Sequence, residues 1–294
     1  MYFSIIIPCY NAQNILGRTL DSILVQKAWV KEIILVDDGS QDQTKEVAQR
    51  YIQDNPTCPI HYHFQANQGP AKARNEGARL AQGDYTLFLD NDDALREGAL
   101  ETFHHYFAQN PEIKLLIAGS CDINGDRKKM CPPKPCKNAL QMLTDYWFGE
   151  LSIEGGAAPI RTEVLKTTHY PEKIRHGEDI VFFSHLLAQY PAKIIQEITL
   201  DGYRRPNSLR NQQTSILNDQ DALTALLFDP QYLKPEYMAY KAQFHARNLI
   251  TLARAALLLK QKDQSRAFLK QAFKSYPKSF LKIRTLKMYL KTYL

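Results

Sequence analysis

Gly83-Asp84-Tyr85-Thr86-Leu87-Phe88-Leu89-Asp90-Asn91-Asp92-Asp93 is the stretch that decides the fold. A short apolar run followed by three carboxylates in four positions predicts a buried strand that ends in a charged loop. Carboxylates crowded in this way repel one another unless a cation lies among them, so the loop is a candidate site for a divalent metal. A solvated acidic turn is the alternative.

The sequence on either side of this stretch predicts alternating strands and helices. Strands are predicted at residues 3–8, 32–36, 60–64 and 84–89, and helices at 44–51, 69–81 and after Asn11, which is a plausible N-cap. This order favours right-handed βαβ units and an open, mostly parallel sheet flanked by helices. Ligands of such sheets bind outside the carboxyl ends of the strands, where Tyr10, Asp37, Asp38 and the 90–93 loop fall.

The pattern then loosens. We expect a helix at 98–108, a strand at 113–118, a loop or hairpin at 119–137, a helix at 138–148, an apolar helix after Gly177 and a short strand at 198–202. The sequence is almost wholly helical from about residue 215. We therefore divide the chain into an α/β domain at 1–210 and a helical region at 211–294.

Composition restricts the class of protein. The 294 residues are 44% hydrophobic and 23% charged, which excludes disordered and collagen-like chains. The five cysteines lack the spacing of a disulfide framework or of a zinc site, and no run approaches the ~20 apolar residues of a membrane-spanning helix. No signal peptide is recognisable because Pro8 interrupts the first apolar run. We expect a cytoplasmic protein.

The predicted edge of the sheet suits a nucleoside diphosphate. Tyr10 can stack on a base, Asp38 can accept hydrogen bonds from base or ribose, and a metal ion on Asp92 can neutralise a diphosphate. The glycine-rich loops of P-loop and dinucleotide-binding proteins are absent. Glu178 and Asp179 form a second acidic centre at a helix N-terminus, where the helix dipole favours the ionised form and a proton can be accepted. A helix cap with an acidic first turn is the alternative.

Five linked motifs carry a family resemblance. They are Ile6-Ile7-Pro8-Cys9-Tyr10-Asn11, Val36-Asp37-Asp38-Gly39-Ser40, Ala73-Arg74-Asn75-Glu76-Gly77, Phe88-Leu89-Asp90-Asn91-Asp92-Asp93 and Gly177-Glu178-Asp179. In this order, over roughly the first 210 residues, the chain resembles the family-2 inverting glycosyltransferases with the GT-A fold. The resemblance implies a nucleotide-sugar donor, usually a uridine diphosphate (UDP) sugar, and a Mn²⁺ or Mg²⁺ ion.

The resemblance also implies roles for single residues. Asp179 would be the general base that activates the acceptor hydroxyl, supported by Glu178, and Asp92 would ligate the metal. The implied donor-binding residues are Pro8, Tyr10, Asn11, Asp38, Arg74, Asp90 and Asn91. The acceptor would be a saccharide or a lipid-linked saccharide of a bacterial cell surface, such as lipopolysaccharide or capsule.

Other residues near these motifs allow two interpretations each. Arg204 and Arg205 either clamp the diphosphate or lie on a solvated strand end. Tyr146 and Trp147 either form a platform for a sugar ring or, as we favour for an aromatic pair on a helix, belong to the core. His176 is expected to have no direct role.

The net charge of +6 comes mainly from the C-terminal region, where ten basic residues after position 259 face the single acid Asp263. Ile283, Leu286 and Leu290 recur at helical spacing among them and predict a basic amphipathic helix. Peripheral contact with an anionic membrane is one interpretation, and a solvated face or a dimer contact is the other. No recognition motif for nucleic acid accompanies the charge, so we do not expect that partner.

Two other functions compete with glycosyl transfer. A sugar nucleotidyltransferase would need a glycine-rich loop with basic residues in place of Pro8-Cys9-Tyr10-Asn11. A non-catalytic binding scaffold would be expected to lose Asp92 or Asp179, and both are present.

Overall fold

The computed structural model describes residues 1–204, 216–217, 222–281 and 283–292. Its strands are β1 (Phe3–Cys9), β2 (Val30–Asp38), β3 (Ile60–Gln65), β4 (Tyr85–Phe88), β5 (Ala94–Leu95), β6 (Leu115–Asn124), β7 (Arg127–Cys131), β8 (Ile160–Arg161) and β9 (Ala192–Tyr203). Its helices are α1 (Leu16–Leu24), α2 (Thr44–Asp54), α3 (Pro70–Leu80), α4 (Ala99–Gln109), α5 (Ala139–Phe148), α6 (Glu178–Gln189), α7 (Ala222–Leu227), α8 (Pro235–Met238), α9 (Lys241–Leu258), α10 (Lys262–Ser275) and α11 (Ile283–Lys291).

These strands form one sheet in the order β3-β2-β1-β4-β8-β6-β9-β5, with β7 paired to the free part of β6. The first four strands of the chain pair in parallel, as the βαβ pattern predicts. The second half is mixed, because β8 runs antiparallel to both β4 and β6 whereas β6 and β9 are parallel. The carboxyl ends of β1, β2 and β4 consequently lie at one edge, which positions their polar residues together.

Alternate residues of the central strands face two separate cores. Ile5 and Ile7 of β1 pack in one core with α1, and Ile6 packs in the other with α3. Because both faces of β1 are covered, the strand is apolar at nearly every position, which is what its sequence shows. The two-sided covering makes these strands rigid supports for the loops that follow them.

The structure corrects two expectations about elements. Asn11 is not the N-cap of the first helix, since α1 begins at Leu16 and Asn11 adopts a left-handed backbone with φ of 48°. The predicted short strand at 198–202 is the end of the 12-residue β9, which is long because it pairs with β6 on one side and with β5 on the other. The 119–137 segment contains the β6–β7 hairpin, one of its two predicted forms.

The helices after residue 221 have two kinds of neighbour. Leu223, Phe228, Tyr237 and Phe244 belong to the core that also holds Trp147, and α9, α10 and α11 pack around a third core of their own. The helical C-terminal region is thus as predicted, and its boundary as a domain at residue 211 remains a prediction. Among the described residues, no helix has both the length and the apolar character needed to span a bilayer.

Candidate active site

The acidic loop after β4 brings three carboxylates together. One oxygen from each of Asp90, Asp92 and Asp93 lies within 4.8 Å of the others. Helix α1 holds the loop from below, since Thr19 Oγ1 donates to the carbonyl oxygens of Asn91 at 3.0 Å and of Asp93 at 2.7 Å. Helix α1 therefore holds the loop backbone at the carbonyl groups of Asn91 and Asp93, beside the three neighbouring carboxylates.

Two further contacts tie this loop to its neighbours. Asn91 Nδ2 donates to the carbonyl oxygen of Pro8 at 3.0 Å, which joins the ends of β1 and β4. Arg18 donates to the carbonyl oxygen of Asp92 at 2.6 Å, and its guanidinium stacks 3.5 Å from the ring centre of Tyr203. Asn91 thus fixes the edge of the sheet in this structure, a role that its sequence position did not reveal.

The electrostatics of the loop favour a cation. Burial, followed by the charges of Asp90 and Asp92, raises the pKa of Asp93 to about 8, although the Tyr203 N–H donates to this carboxylate at 3.2 Å. Carboxylate oxygens are the ligands that Mg²⁺ and Mn²⁺ prefer, and a cation relieves the repulsion that raises this pKa. The residues present fit a divalent metal ion, with Asp93 as a candidate ligand in addition to Asp92.

Arg74 connects this loop to the second acidic centre. Its Nη2 donates to Asp90 Oδ1 at 2.8 Å and its Nη1 donates to Glu178 Oε1 at 3.1 Å. Burial alone would lower the pKa of Arg74, but Asp90, Tyr170 and Glu178 together raise it above its ordinary value. One guanidinium therefore joins two motifs that lie far apart in sequence.

The other residues of the Arg74 motif explain how α3 carries the guanidinium there. Asn75 exchanges two hydrogen bonds of 2.9 Å with the backbone of Tyr170 and so fixes the loop that precedes α6. A Cβ on Gly77 would lie 2.3 Å from Ile6 Cγ2, so glycine is required where α3 packs closely on β1. The motif is a helix-to-sheet contact that directs Arg74 into the site.

Glu178 and Asp179 begin α6, after Gly177 in a left-handed conformation with φ of 80°. Gly177 is the N-cap residue and both acids lie in the first turn of α6, so the alternative of a helix with an acidic first turn describes this local structure as well. Burial raises the pKa of Glu178 to about 7 against the opposing charge of Arg74. Near neutral pH, Glu178 can therefore both accept a proton and hold the Arg74 guanidinium.

Asp179 is exposed to solvent in the first turn of α6. Burial among protein atoms raises its pKa, while the Ile180 N–H, which donates to Oδ1 at 2.8 Å, and the charges of Arg74 and His176 lower it. His176, for which the sequence suggested no role, lowers the pKa of Asp179 when its imidazole is protonated. A carboxylate that is open to solvent and has a raised pKa can accept a proton from a bound hydroxyl.

The acidic loop and Asp179 share an acidic neighbour, Glu154. The negative charge of Glu154, just before the Gly155–Ala157 turn, raises the pKa of both Asp93 and Asp179. Arg74 bridges Asp90 and Glu178, so the acidic loop and the start of α6 are neighbours in the fold. Glu154 was missed from the sequence because a lone acid before two glycines carries no distinctive pattern.

Asp38 and Tyr10 lie at the end of the strands where the sequence predicted a base to bind. Asp38 is buried and accepts three hydrogen bonds, from Gln65 Nε2 at 2.7 Å and from the backbone N–H groups of Gln68 and Gly69, each at 2.8 Å. It organises the loop between β3 and α3 in this structure. Tyr10 is 50% exposed.

The remaining sequence candidates lie as follows. Arg204 forms a two-pronged ion pair with Asp122 of β6, and Arg205 lies outside the described residues. Trp147 is fully buried and donates from Nε1 to Ser184 Oγ at 2.8 Å, which confirms the core interpretation for that residue. Tyr146 is also buried, but its hydroxyl has no hydrogen-bond partner among the described residues.

The chain is similar in sequence to known glycosyltransferases. The family model described as Glycosyl transferase family 2 matches residues 4–167, more than half of the chain. A Haemophilus influenzae protein named as an uncharacterized glycosyltransferase is 32% identical over 195 residues, which are 65% of this chain and 74% of that protein. The minor teichoic acid biosynthesis protein GgaA of Bacillus subtilis is 30% identical over 193 residues, 63% of this chain and 43% of GgaA.

Solved structures agree on the fold. Residues 1–349 of S. aureus TarS, in a complex with UDP, superpose with a TM-score of 0.68 at 20% identity, covering 100% of this chain and 89% of that one. A mannosyltransferase from Pyrobaculum calidifontis, in complex with GDP-Man and Mn²⁺, gives a TM-score of 0.57 at 16% identity, covering 95% and 86%. The predicted GT-A fold is confirmed. With its matched family model and its relatives, the chain belongs to glycosyl transferase family 2.

Proposed function

We propose that this glycosyltransferase moves a sugar, with inversion, from a metal-bound UDP-sugar to a saccharide or lipid-linked saccharide acceptor in bacterial surface polysaccharide synthesis. The observation that carries the proposal is the Arg74 bridge between Asp90 and Glu178. It couples a site suited to a cation and diphosphate to a carboxylate pair suited to proton transfer. Neither half alone would define this reaction.

The donor is assigned to the edge formed by β1, β2 and β4. Tyr10 would flank the base, Asp38 and Asn11 would border it, and Asp90 would lie by ribose and diphosphate. Asp38 would contact the base while it continues to hold the loop at Gln68. Two of the matched TarS structures contain UDP or UDP-GlcNAc, which supports a UDP donor. The Pro8-Cys9-Tyr10-Asn11 loop has no cationic side chain for a triphosphate, which disfavours a nucleotidyltransferase.

The acidic loop would hold Mn²⁺ or Mg²⁺ through Asp92, with Asp90 and Asp93 beside it. Such an ion supplies positive charge that stabilises the departing diphosphate. Arg204 and Arg205 are proposed to clamp the same diphosphate. To do so, Arg204 would have to leave Asp122 and bind phosphate instead. A guanidinium can bind either anion through two parallel hydrogen bonds.

Asp179 is proposed as the base and Glu178 as its support. The acceptor oxygen forms a bond to the anomeric carbon while the bond from that carbon to the diphosphate oxygen breaks. The acceptor proton passes to Asp179, and Arg74 keeps Glu178 in place beside it. Because attack and departure occur on opposite faces of the sugar, an α-linked donor gives a β-glycoside.

The acceptor class rests on relatives and on charge. GgaA is named for teichoic acid biosynthesis, and a Campylobacter jejuni relative, 38% identical over 99 residues that are 34% of this chain and 32% of that protein, is named as a glucosyltransferase acting on an undecaprenol-linked saccharide. These names support a surface saccharide, free or lipid-linked. We place the enzyme in the cytoplasm, at the inner face of the membrane where such acceptors are built.

Helix α11 supports the membrane contact. Met288 and Tyr289 pack against the third core, whereas Leu286 and Leu290, one turn apart, are about half exposed with Lys287 and Lys291 beside them. Outward leucines flanked by lysines are typical of a helix that lies on an anionic bilayer. Each lysine near such a surface contributes about 1 kcal/mol.

A screen of nucleotide sugars with Mn²⁺, read out as released nucleoside diphosphate, tests the reaction. We expect release from a UDP-sugar, its loss on chelation, and a rise when undecaprenol-linked or oligosaccharide acceptors are added. Release of pyrophosphate from UTP and a sugar phosphate would instead support the nucleotidyltransferase. Binding of UDP-sugars with no turnover under any acceptor would support the scaffold.

Vesicle flotation tests the membrane contact. The full chain should float with vesicles of anionic phospholipid, and Leu286→Ser with Leu290→Ser should reduce the bound fraction severalfold. Val25→Ser is the matched control, because Val25 is 73% exposed at the end of α1 and lies outside the basic region. Equal flotation of all three proteins would contradict the contact and favour a solvated or dimeric face.

A further inference from the structure

Tyr146 presents an unusual polar group close to the proposed base. Tyr146 is only 8% exposed, and its hydroxyl has no hydrogen-bond partner among the described residues. An unsatisfied buried hydroxyl is unfavourable, so native proteins seldom keep one without a use. The hydroxyl would be replaced by phenylalanine at no loss if packing were its only role.

The ring of Tyr146 is held firmly against α6. The next residue, Trp147, donates to Ser184 of α6 at 2.8 Å, and Tyr146 shares a core with Tyr170 and Phe182. Asp179 lies at the first turn of the same helix α6. Because α5 is fixed to α6, the hydroxyl keeps a constant position relative to the base.

The charged groups that face the hydroxyl are mostly acidic. Asp179 has the largest electrostatic influence on the phenol, followed by Tyr170, Glu154 and Glu178. The cation in this set is Arg247 of α9, which is partly buried and whose pKa is lowered by burial and raised by the Tyr146 phenol. The hydroxyl therefore stands in a field that favours donation of its proton toward the carboxylates.

We propose that Tyr146 is a positioning residue for the base, donating its O–H to the Asp179 oxygen that the Ile180 N–H does not hold. This inference rests on the proposed function, since it takes Asp179 as the base. In the proposed contact, rotation of the exposed Asp179 side chain brings its second carboxylate oxygen to the unpaired hydroxyl. The contact orients the base and favours its ionised form.

The sign of the effect follows from this donation. A donor to the ionised carboxylate lowers the pKa of Asp179, against the burial and the charge of Glu154 that raise it, and in the same direction as Arg74 and His176. Removing the donor should raise that pKa. The acid limb of the rate profile then moves to higher pH by about one unit, so that activity on the acid limb falls about tenfold.

Tyr146→Phe in the full chain tests this with UDP-GlcNAc and Mn²⁺ as probes, measuring UDP release against pH. We expect the acid limb to move up by about one pH unit with the KM for UDP-GlcNAc unchanged. Tyr237→Phe is the matched control, because Tyr237 is a buried phenol of the same core whose charged neighbour is Glu236 rather than Asp179. Its acid limb should coincide with that of the unmodified enzyme.

Two further measurements keep the outcome decisive. 3-Fluorotyrosine at position 146 has nearly the same shape as tyrosine and is a stronger hydrogen-bond donor. It should move the acid limb to lower pH, and it provides the test if Tyr146→Phe does not fold. The carboxyl ¹³C titration of Asp179, assigned with Asp179→Asn, should show the same shifts without any substrate. Unchanged limbs and an unchanged titration would overturn the role of Tyr146. A protein that releases no UDP would count against the proposed function, and the titration would still decide the role of Tyr146.

Discussion

Arg74 Nη1 and Glu178 Oε1 lie 3.1 Å apart, although 104 positions separate the two residues in the chain. The same guanidinium reaches Asp90 at 2.8 Å, so one side chain on α3 sets the distance between the acidic loop after β4 and the start of α6. The arginine side chain is 14% exposed and Glu178 is 13% exposed. This bridge holds the two halves of the proposed reaction in register.

Arg74→Lys should separate those halves. A lysine ammonium is a single point charge and cannot span both carboxylates as a planar guanidinium does. We expect UDP release to fall at least tenfold and the free energy of unfolding to fall by about 2 kcal/mol, as for loss of one hydrogen bond to a charged group. Kinetics and urea unfolding measure the two effects.

Arg79→Lys is the control for Arg74→Lys. Arg79 lies on the same helix and pairs with Glu76 at the surface, where ion pairs contribute about 0–1 kcal/mol. Its activity and stability should match those of the unmodified protein. Equal behaviour of the two variants would contradict a special role for the bridge.

The raised pKa of Asp93 predicts a pH-dependent metal affinity. A metal ion must displace the proton that Asp93 holds below its pKa of about 8. The affinity for Mn²⁺ should therefore rise about tenfold per pH unit up to about pH 8 and level off above it. Asp93→Asn should remove this slope, and isothermal titration at several pH values measures it.

The same group makes the metal-free protein more stable at lower pH. The folded state keeps a proton on Asp93 that an unfolded carboxyl, with a pKa of about 3.9, releases. The free energy of unfolding should thus decline as the pH rises from about 4 to about 8, and Asp93→Asn should make that decline shallower by one proton. A parallel decline in both proteins would contradict the assignment.

Gly77→Ala tests the packing that directs Arg74. Alanine favours a helix by about 1 kcal/mol over glycine, but the new Cβ would meet Ile6, which is fully buried and cannot move away. Overpacking typically destabilises by about 1–3 kcal/mol, so we expect a net loss of stability and of activity. Gly17→Ala in α1 is the control, since its Cβ would meet Tyr51 Oη at 3.1 Å, the end of a longer side chain.

Much of the fold could be predicted from the sequence because it depends on local patterns of apolar and polar residues. The β-branched run of β1 and the carboxylates after β4 predicted buried strands and their polar ends, and the structure places both as expected. Only neighbours in space could show the length of β9, which follows from its pairing with β6. The cap at Asn11 was wrong because its side chain accepts instead from the Gln41 N–H at 2.9 Å.

The sequence predicted which residue types belong to the candidate site, but it did not predict the contacts between them. Motif order identified Arg74, Asp90 and Glu178, yet their mutual contacts arise from the close packing of α3 on the sheet. The loop-holding contacts of Asp38 and the unsatisfied hydroxyl of Tyr146 depend on burial, which no spacing in the sequence encodes. Glu154 likewise acquires its position from the turn that follows it.

Asp179→Asn measures the central claim most directly, because it keeps the shape of the proposed base and removes its capacity to take a proton. With Mn²⁺ and the UDP-sugar that the enzyme turns over, we predict that transfer falls by about a hundredfold or more while the Kd for the donor stays within about twofold. Full transfer activity in this variant would contradict the assignment of the base and with it the account of a single cleft that joins donor and acceptor chemistry.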